Sequence, residues 1–277
     1  GETGRRSGGD MEYLDDVCAI VREAGTAIMR VYDGPDFDVR MKSDDSPLTA
    51  ADLAAHEVIV AGLTRIAELP VLSEESDAIA WSVRRSWNRY WLVDPLDGTK
   101  EFVGRNGEFT VNVALIDGGV PVMGVVYVPV TGVLYAGTRD AGGRTAWVED
   151  ADGRRPISTR GVDSSALTVV GSRRHGSDAL EALVGRLGQH FGSVDMTSMG
   201  SSLKICLVAE GRADLYPRLA PTCEWDTAAA QGVLEAAGGR VVGPDFQPLR
   251  YNTKDDLLNP DFYVMGDTGL DWADLLG

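Results

Sequence analysis

The run Trp91-Leu92-Val93 leads directly into Asp94-Pro95-Leu96-Asp97-Gly98-Thr99. An apolar, strand-like stretch that ends in two carboxylates three residues apart leaves few options. Buried together without compensation, Asp94 and Asp97 are very costly in a low dielectric, so they call for a cation between them. Gly98 leaves room for a backbone N–H to approach an anion, and Thr99 adds a hydroxyl beside it. Oxygen-only ligands next to an anion cradle point to a hard divalent cation, Mg²⁺ or Mn²⁺, and to a phosphate.

The chain has 277 residues and is 44% hydrophobic, enough to bury one large domain or two closely packed ones. Its formal net charge is −16. So acidic a surface repels a nucleic-acid backbone, and no DNA or RNA polymer is expected as partner. A small anion is admitted, because bound metal reverses the local field. Cys18, Cys206 and Cys223 form an odd, scattered set. They read as buried reduced thiols rather than a disulfide framework or a zinc site. No apolar run approaches the roughly 18 residues needed to cross a bilayer. Residues 1–10 are polar and are expected to be a disordered arm or tag remnant ahead of Met11. The cytoplasm is the default location, with peripheral contact at the inner membrane left open.

Leu14, Val17, Cys18, Val21, Ile28 and Met29 recur at helical spacing and predict a helix over 12–32, ended by Gly34-Pro35. Residues 38–46 read as a loop. Thr49 precedes a second helix through about Leu69, with Leu53, Ile59, Leu63 and Ile66 on one side. A short strand at 70–72 delivers Glu74 and Glu75, and a third helix is predicted around 78–87. From 109 to 137 the runs read as an antiparallel meander, interrupted at Asp117-Gly118-Gly119 and Thr131-Gly132. Residues 138–165 show one short strand near Ala146. Beyond a subdomain boundary near 160–166, strands at 167–171, 193–197, 212–216, 240–243 and 262–265 alternate with helices at 177–190, 201–210, 224–237 and 269–276. The expected division is 11–163 for a metal and phosphate subdomain and 164–277 for a nucleotide-recognition subdomain.

Each acidic group has an ordinary reading when taken alone. Asp226 opens an Ala-rich helix and complements its dipole. Glu74-Glu75 reads as a solvated loop end, and Asp94-Pro95 as turn chemistry. Thr49-x-x-Asp52 matches a capping box. Jointly they weigh more, because strand ends and helix starts converge on one crevice in α/β folds.

The segment W-L-V-D-P-L-D-G-T-K-E-F over Trp91–Phe102, with Leu72-Ser73-Glu74-Glu75 upstream and Trp225-Asp226-Thr227-Ala228-Ala229 downstream, resembles the inositol monophosphatase superfamily over essentially Met11–Asp267. These are lithium-sensitive, Mg²⁺-dependent phosphatases. Where inositol phosphatases of the group carry Asn-Phe, this chain reads Thr99-Lys100-Glu101-Phe102, similar to the bacterial 3′(2′),5′-bisphosphate nucleotidases. The stretches 46–52, 105–112 and 200–204 are similar to that subgroup too. The resemblance implies a mixed α+β fold, a layered α-β-α-β-α sandwich of the inositol monophosphatase/fructose-1,6-bisphosphatase type.

By position, the resemblance implies that Glu74, Asp94 and the carbonyl of Leu96 hold one Mg²⁺, and that Asp94, Asp97 and Asp226 hold a second. Glu74, or Glu75 through water, helps a third, and Mn²⁺ can substitute. Thr99 orients a metal-activated water, its hydroxyl bonded to Asp52, and Glu74 shares in catalysis. Gly98 and Thr99 N–H groups receive phosphate oxygens, and Lys100 and Glu101 line the pocket. Ser172, Arg173, Arg174, His175, Ser201, Lys204 and Arg218 fall on positions that meet the nucleotide or its second phosphate. Taken singly, Lys204, Arg173 and Arg174 read equally as solvated surface cations. A second dianion needs compensating cations, and Lys204 and Arg218 supply them.

The implied reaction is Mg²⁺-dependent hydrolysis of 3′(2′)-phosphoadenosine 5′-phosphate to AMP and phosphate, a step that clears a by-product of sulfate assimilation. The partner is that small bisphosphorylated adenine nucleotide, and the chain acts as a monomer or homodimer. The rivals are an inositol-1-phosphate or sugar-phosphate phosphatase on the same site and a non-catalytic nucleotide-binding sensor.

Overall fold

The structure, a computed structural model, describes residues 9–35, 37–40, 46–76, 78–172 and 177–277. Helices and sheets alternate in five layers, as the sequence predicts. The first layer is α1 (Gly9–Tyr32) with α3 (Pro47–Ile66); the single turn α2 (Phe37–Arg40) lies in the stretch expected as loop. α1 buries Leu14, Val17, Val21, Ala24 and Ile28 along one stripe.

α3 starts earlier than expected. Ser46 is its N-cap and accepts the Thr49 N–H at 3.2 Å, and Pro47 follows where its missing donor is harmless. The Thr49–Asp52 capping box is therefore not formed, and Asp52 sits inside the helix. Its packed stripe runs through Ala51, Ala55, Ile59 and Leu63 at four-residue spacing. That geometry puts Leu53 on the opposite side, 44% exposed, against expectation.

The second layer is a sheet whose strands follow chain order: β1 (Val71–Ser73), β2 (Arg89–Asp97), β3 (Thr110–Asp117), β4 (Val120–Val128), β5 (Val133–Asp140), β6 (Gly143–Asp150) and β7 (Gly153–Pro156). β1 and β2 run parallel and the rest antiparallel. Between β1 and β2 the predicted helix shrinks to α4 (Trp81–Arg84), and α5 (Thr99–Val103) follows β2. Gly118 and Gly119, at φ 57° and 80°, make the tight turn that joins β3 to β4. The region expected to hold one strand near Ala146 holds two, β6 and β7. Their Arg- and Asp-rich ends hide the pattern, but backbone pairing to β5 extends the sheet regardless.

α7 (Leu203–Ala209) and α8 (Glu224–Ala236) form the third layer. The fourth is a second sheet in the order β11 (Arg240–Val242), β12 (Phe262–Met265), β10 (Leu215–Arg218), β8 (Leu167–Gly171), β9 (Val194–Ser198). α6 (Asp178–Leu187) and α9 (Trp272–Leu276) close the outer face.

Coverage on both faces explains why β2 is apolar from Tyr90 to Val93. Trp91 and Val93 pack with α1 and α3, while Tyr90 and Leu92 pack with α7 and α8. α8 lies directly on the first sheet. A Cβ added to Gly124 would stand 1.8 Å from Ala229 O, and one on Gly232 would stand 2.8 Å from Gly124 N. Backbone thus rests on backbone, which fixes the height of α8 and of the acid at its start. Among the described residues, no helix is long and apolar enough to cross a membrane.

Candidate active site

Four segments bring carboxylates together beside the first sheet. β2 supplies Asp94 and Asp97, with an irregularity in its pairing to β3 between them. α8 supplies Asp226 from its first turn, where Asp226 Oδ2 accepts the Cys223 N–H at 2.8 Å. The helix-start reading of Asp226 therefore holds, and it leaves the side chain among the other acids. Asp94, Asp97 and Asp226 offer ligand atoms that lie within 4.8 Å of one another. The turn after β1 brings Glu74 and Glu75 to Asp52 of α3, and these three form a second such group within 4.8 Å. Glu74 and Asp94 lie close enough for their charges to act on each other, which joins the two sets.

Burial and so much negative charge raise four of these acids, Asp52, Glu74, Asp94 and Asp97. Burial pushes the Asp94 carboxyl well above its usual range, and the charges of Asp97 and Glu74 add to it. Asp97 is pushed up to about 8 by burial and then by Asp226; Lys204 and the Ser202 N–H oppose the rise. Asp52 reaches about 8 through burial and the charges of Glu75 and Glu74. Glu74 keeps an exposed face yet is raised as well, first by the surrounding protein, then by Asp226 and Glu75. Asp94 is 1% exposed; its Oδ1 takes the Leu96 N–H at 3.2 Å, and its Oδ2 has no hydrogen-bond partner. A buried, orphaned carboxylate oxygen amid oxygen donors fits a hard divalent cation.

The cleft beside these acids has a volume of about 210 Å³. Asp97, Gly98, Thr99, Lys100, Glu101, Ser172, Ser201, Lys204, Arg218 and Asp226, all expected at the site, line it. Gly98 takes the left-handed conformation, φ 92°, as it turns β2 into α5. Lys204, also lining the cleft, is 7% exposed, with Nζ 3.4 Å from Met199 O and 5.6 Å from the Tyr216 ring centre. Burial and the Arg218 charge lower its pKa, opposed by Asp97, Glu101 and Glu108. Arg218 Nε is buried without a partner. Ser201 holds its own backbone turn, donating to Glu108 O at 2.6 Å with φ 55°.

Not every expectation is met. Asp52 makes no hydrogen bond to Thr99: Thr99 is exposed, and Asp52 Oδ1 is buried without a partner, drawn into the group with Glu74 and Glu75. Cys223 is only half-buried, because it caps α8 at the cleft, whereas Cys18 and Cys206 are buried. Arg173, Arg174 and His175 lie outside the described residues. Several residues escaped sequence reasoning. Ser202 donates its N–H to Asp97, and Ile205, Tyr216, Pro221, Thr222, Thr227 and Phe262 also line the cleft. His56 bonds Ser73 Oγ at 2.9 Å and so steadies the Glu74-Glu75 turn. Only Thr110 and Asn112 left a signal, as polar residues at alternate positions of an apolar strand.

This architecture and its acidic edge define a metal-dependent phosphatase class. The model of the inositol monophosphatase family matches residues 10–265, and the chain belongs to that family. Among individual proteins, it is 53% identical over 253 residues to the 3′(2′),5′-bisphosphate nucleotidase CysQ of Escherichia coli (strain K12), covering 91% of this chain and 98% of that one. It is 33% identical to the protein of the same name from Haemophilus influenzae, over 95% and 96% of the two chains. A solved structure of CysQ from Bacteroides thetaiotaomicron, described as a bacterial member of the inositol monophosphatase family, superposes with a TM-score of 0.84 at 43% identity, over 92% of this chain and 97% of that one.

Proposed function

We propose that the chain hydrolyses 3′(2′)-phosphoadenosine 5′-phosphate to AMP and phosphate, using two or three Mg²⁺ ions that Mn²⁺ can replace. The observation that carries this reading is the polarity of the cleft. Asp97 and Asp226 line it together with a buried lysine, Lys204, and its neighbour Arg218. A substrate with two phosphates matches a cleft that holds both a cation-binding acidic group and a pair of basic side chains. The relatives named as bisphosphate nucleotidases support the same substrate. Asp94, Asp97 and Asp226 would hold one cation, and Glu74 with Asp94 and the Leu96 carbonyl another, with Glu75 beside them. When bound, such ions neutralise a phosphoryl group and lower the pKa of water.

The protein's own groups do the rest. Gly98 and Thr99 N–H groups, freed by the left-handed turn, receive phosphate oxygens. The Thr99 hydroxyl orients the attacking water, and the Glu74 carboxylate accepts its proton. Asp52 adds its carboxylate to the group with Glu74 and Glu75. Lys204 and Arg218 hold the non-reacting phosphate, and Lys100, Glu101, Ser172 and Ser201 shape the wall between. Expected placement is in the sulfate-assimilation pathway as a by-product scavenger.

The test is kcat/KM for the bisphosphate nucleotide against inositol 1-phosphate and AMP, with and without Mg²⁺. The bisphosphate is expected to lead by at least tenfold in Mg²⁺. Equal or greater kcat/KM for inositol 1-phosphate overturns the substrate, and no phosphate release from any of the three overturns the enzyme.

A further inference from the structure

Beneath Asp97 lies a set of side chains to which none of the roles above applies. Thr110 and Asn112 are two residues apart on β3 and so share a face. Strand pairing sets Asn112 opposite Asp94 and Thr110 opposite Asp97. Thr110 is 0% exposed and Asn112 is 1% exposed, in a strand whose other buried members are all apolar. Ser202, 3% exposed, reaches them from the turn before α7.

The three side chains close a ring. Ser202 Oγ gives its only proton to Asn112 Oδ1 at 2.7 Å. The Thr110 hydroxyl must then be the donor across its 2.8 Å contact with Ser202 Oγ. Asn112 Nδ2 completes the circuit by donating to Thr110 Oγ1 at 3.0 Å, and also to Thr110 O at 3.2 Å. One bond leaves the ring: the Ser202 N–H donates to Asp97 Oδ2 at 2.8 Å. A valine at 110 would fill the same space and need no partner, so packing alone does not ask for this polarity. Fully satisfied networks in a low dielectric are rigid, and rigidity is what a ligand-orienting layer requires.

We propose that Thr110, Asn112 and Ser202 are positioning residues that lock the Asp97 carboxylate, Oδ2 engaged and Oδ1 free for a cation shared with Asp94 and Asp226. The ring also fixes the start of α7, from which Lys204 reaches the cleft two residues later. One turn of chain thus sets both a metal ligand and the cation that meets the second phosphate. The inference rests on Asp97 being a cation ligand, as proposed above.

Mn²⁺ titration of the full chain, followed by the electron paramagnetic resonance signal of the free ion, tests it. The proteins are wild type, Asp97→Asn, Thr110→Val and Thr110→Ser. Loss of an outer-layer partner weakens metal binding by about 10- to 100-fold. Thr110→Val, which breaks the ring, is expected to weaken the tight Mn²⁺ site at least tenfold. Thr110→Ser keeps the hydroxyl and is expected to stay within twofold of wild type. The half-activating Mg²⁺ concentration should rise in parallel for Thr110→Val. Mn²⁺ binding within twofold of wild type in Thr110→Val overturns the proposal, provided Asp97→Asn binds weakly. Unchanged binding in Asp97→Asn overturns the ligand assignment itself. A loss in Thr110→Val that merely tracks the unfolded fraction in urea counts against positioning. Should that variant not fold, Asn112→Ser is judged by the same criterion.

Discussion

Gly124→Ala tests whether backbone contact between α8 and β4 sets the geometry of the site. The new methyl would stand 1.8 Å from Ala229 O, where Cβ contacts below 3.0 Å essentially never occur. Both partners are backbone, so no rotamer change relieves the overlap. Helix and strand must part by about 1 Å or more. Asp226 lies three residues before Ala229 on the same helix and moves with it. Metal–ligand distances tolerate only about 0.2 Å. A displacement of about 1 Å at a reacting centre costs on the order of 10²-fold in rate. Overpacking itself costs about 1–3 kcal/mol, and the upper end applies here because nothing flexible can yield. Urea unfolding and kcat/KM across a Mg²⁺ series measure the two effects. Gly185→Ala is the control: its Cβ meets nothing within 4 Å on α6, and alanine there is expected to stabilise by about 0.5–1 kcal/mol. A Gly124→Ala protein within about 0.5 kcal/mol of wild type and within threefold in kcat/KM refutes the reasoning.

Asp97→Asn should remove most activity and leave the fold nearly intact, since it deletes charge from a crowded acidic group; wild-type turnover would contradict the ligand role. Lys204→Ala should raise KM for the bisphosphate at least tenfold while a monophosphate changes little, and equal effects on both would show that Lys204 does not meet the second phosphate. The raised acids make stability depend on pH in a fixed direction. Asp97 and Asp52 stand near 8 when folded, against an ordinary 3.8. The folded state therefore holds protons that the unfolded chain has lost, and without divalent ions stability falls as pH rises from about 4 to 8. Mg²⁺ relieves that repulsion, so the gain in Tm over an EDTA sample should be larger at pH 8 than at pH 5; equal gains would exclude the coupling. Ser46→Ala should cost about 1 kcal/mol in thermal or urea unfolding through loss of the α3 cap, and a neutral result would return the helix start to Thr49.

The family motifs stand in the sequence because their chemistry is local. Asp94, Asp97, Gly98 and Thr99 occupy six consecutive positions at the end of an apolar run, and strand, turn and anion cradle follow from that order alone. Helix periodicity in 12–32 and the Gly-bounded meander were equally readable. The misreadings come from local signals that compete. Thr49 and Asp52 match a capping box, but Ser46-Pro47 three residues earlier is the stronger start. Only β6 was expected, as one short strand near Ala146; β7 escaped notice, because charged side chains suit an edge as well as a turn, and only its pairing with β6 decides.

Residue types and their order determined the oxygen-ligand chemistry and the acidic members of the site, since each is a property of a short segment, and the family resemblance those segments carry implied the layered class. Which carboxylates share a cation group was decided in three dimensions. Asp226 meets Asp94 and Asp97 because glycines let α8 rest on β4, and Asp52 turns to Glu74 and Glu75 because α3 begins at Pro47. Thr110 and Asn112 stand out as polar residues in an apolar strand, but their closure into a ring with Ser202 belongs to the tertiary structure. A hydrogen bond between residues 90 apart leaves no trace in spacing; it exists only once packing has excluded water from both ends.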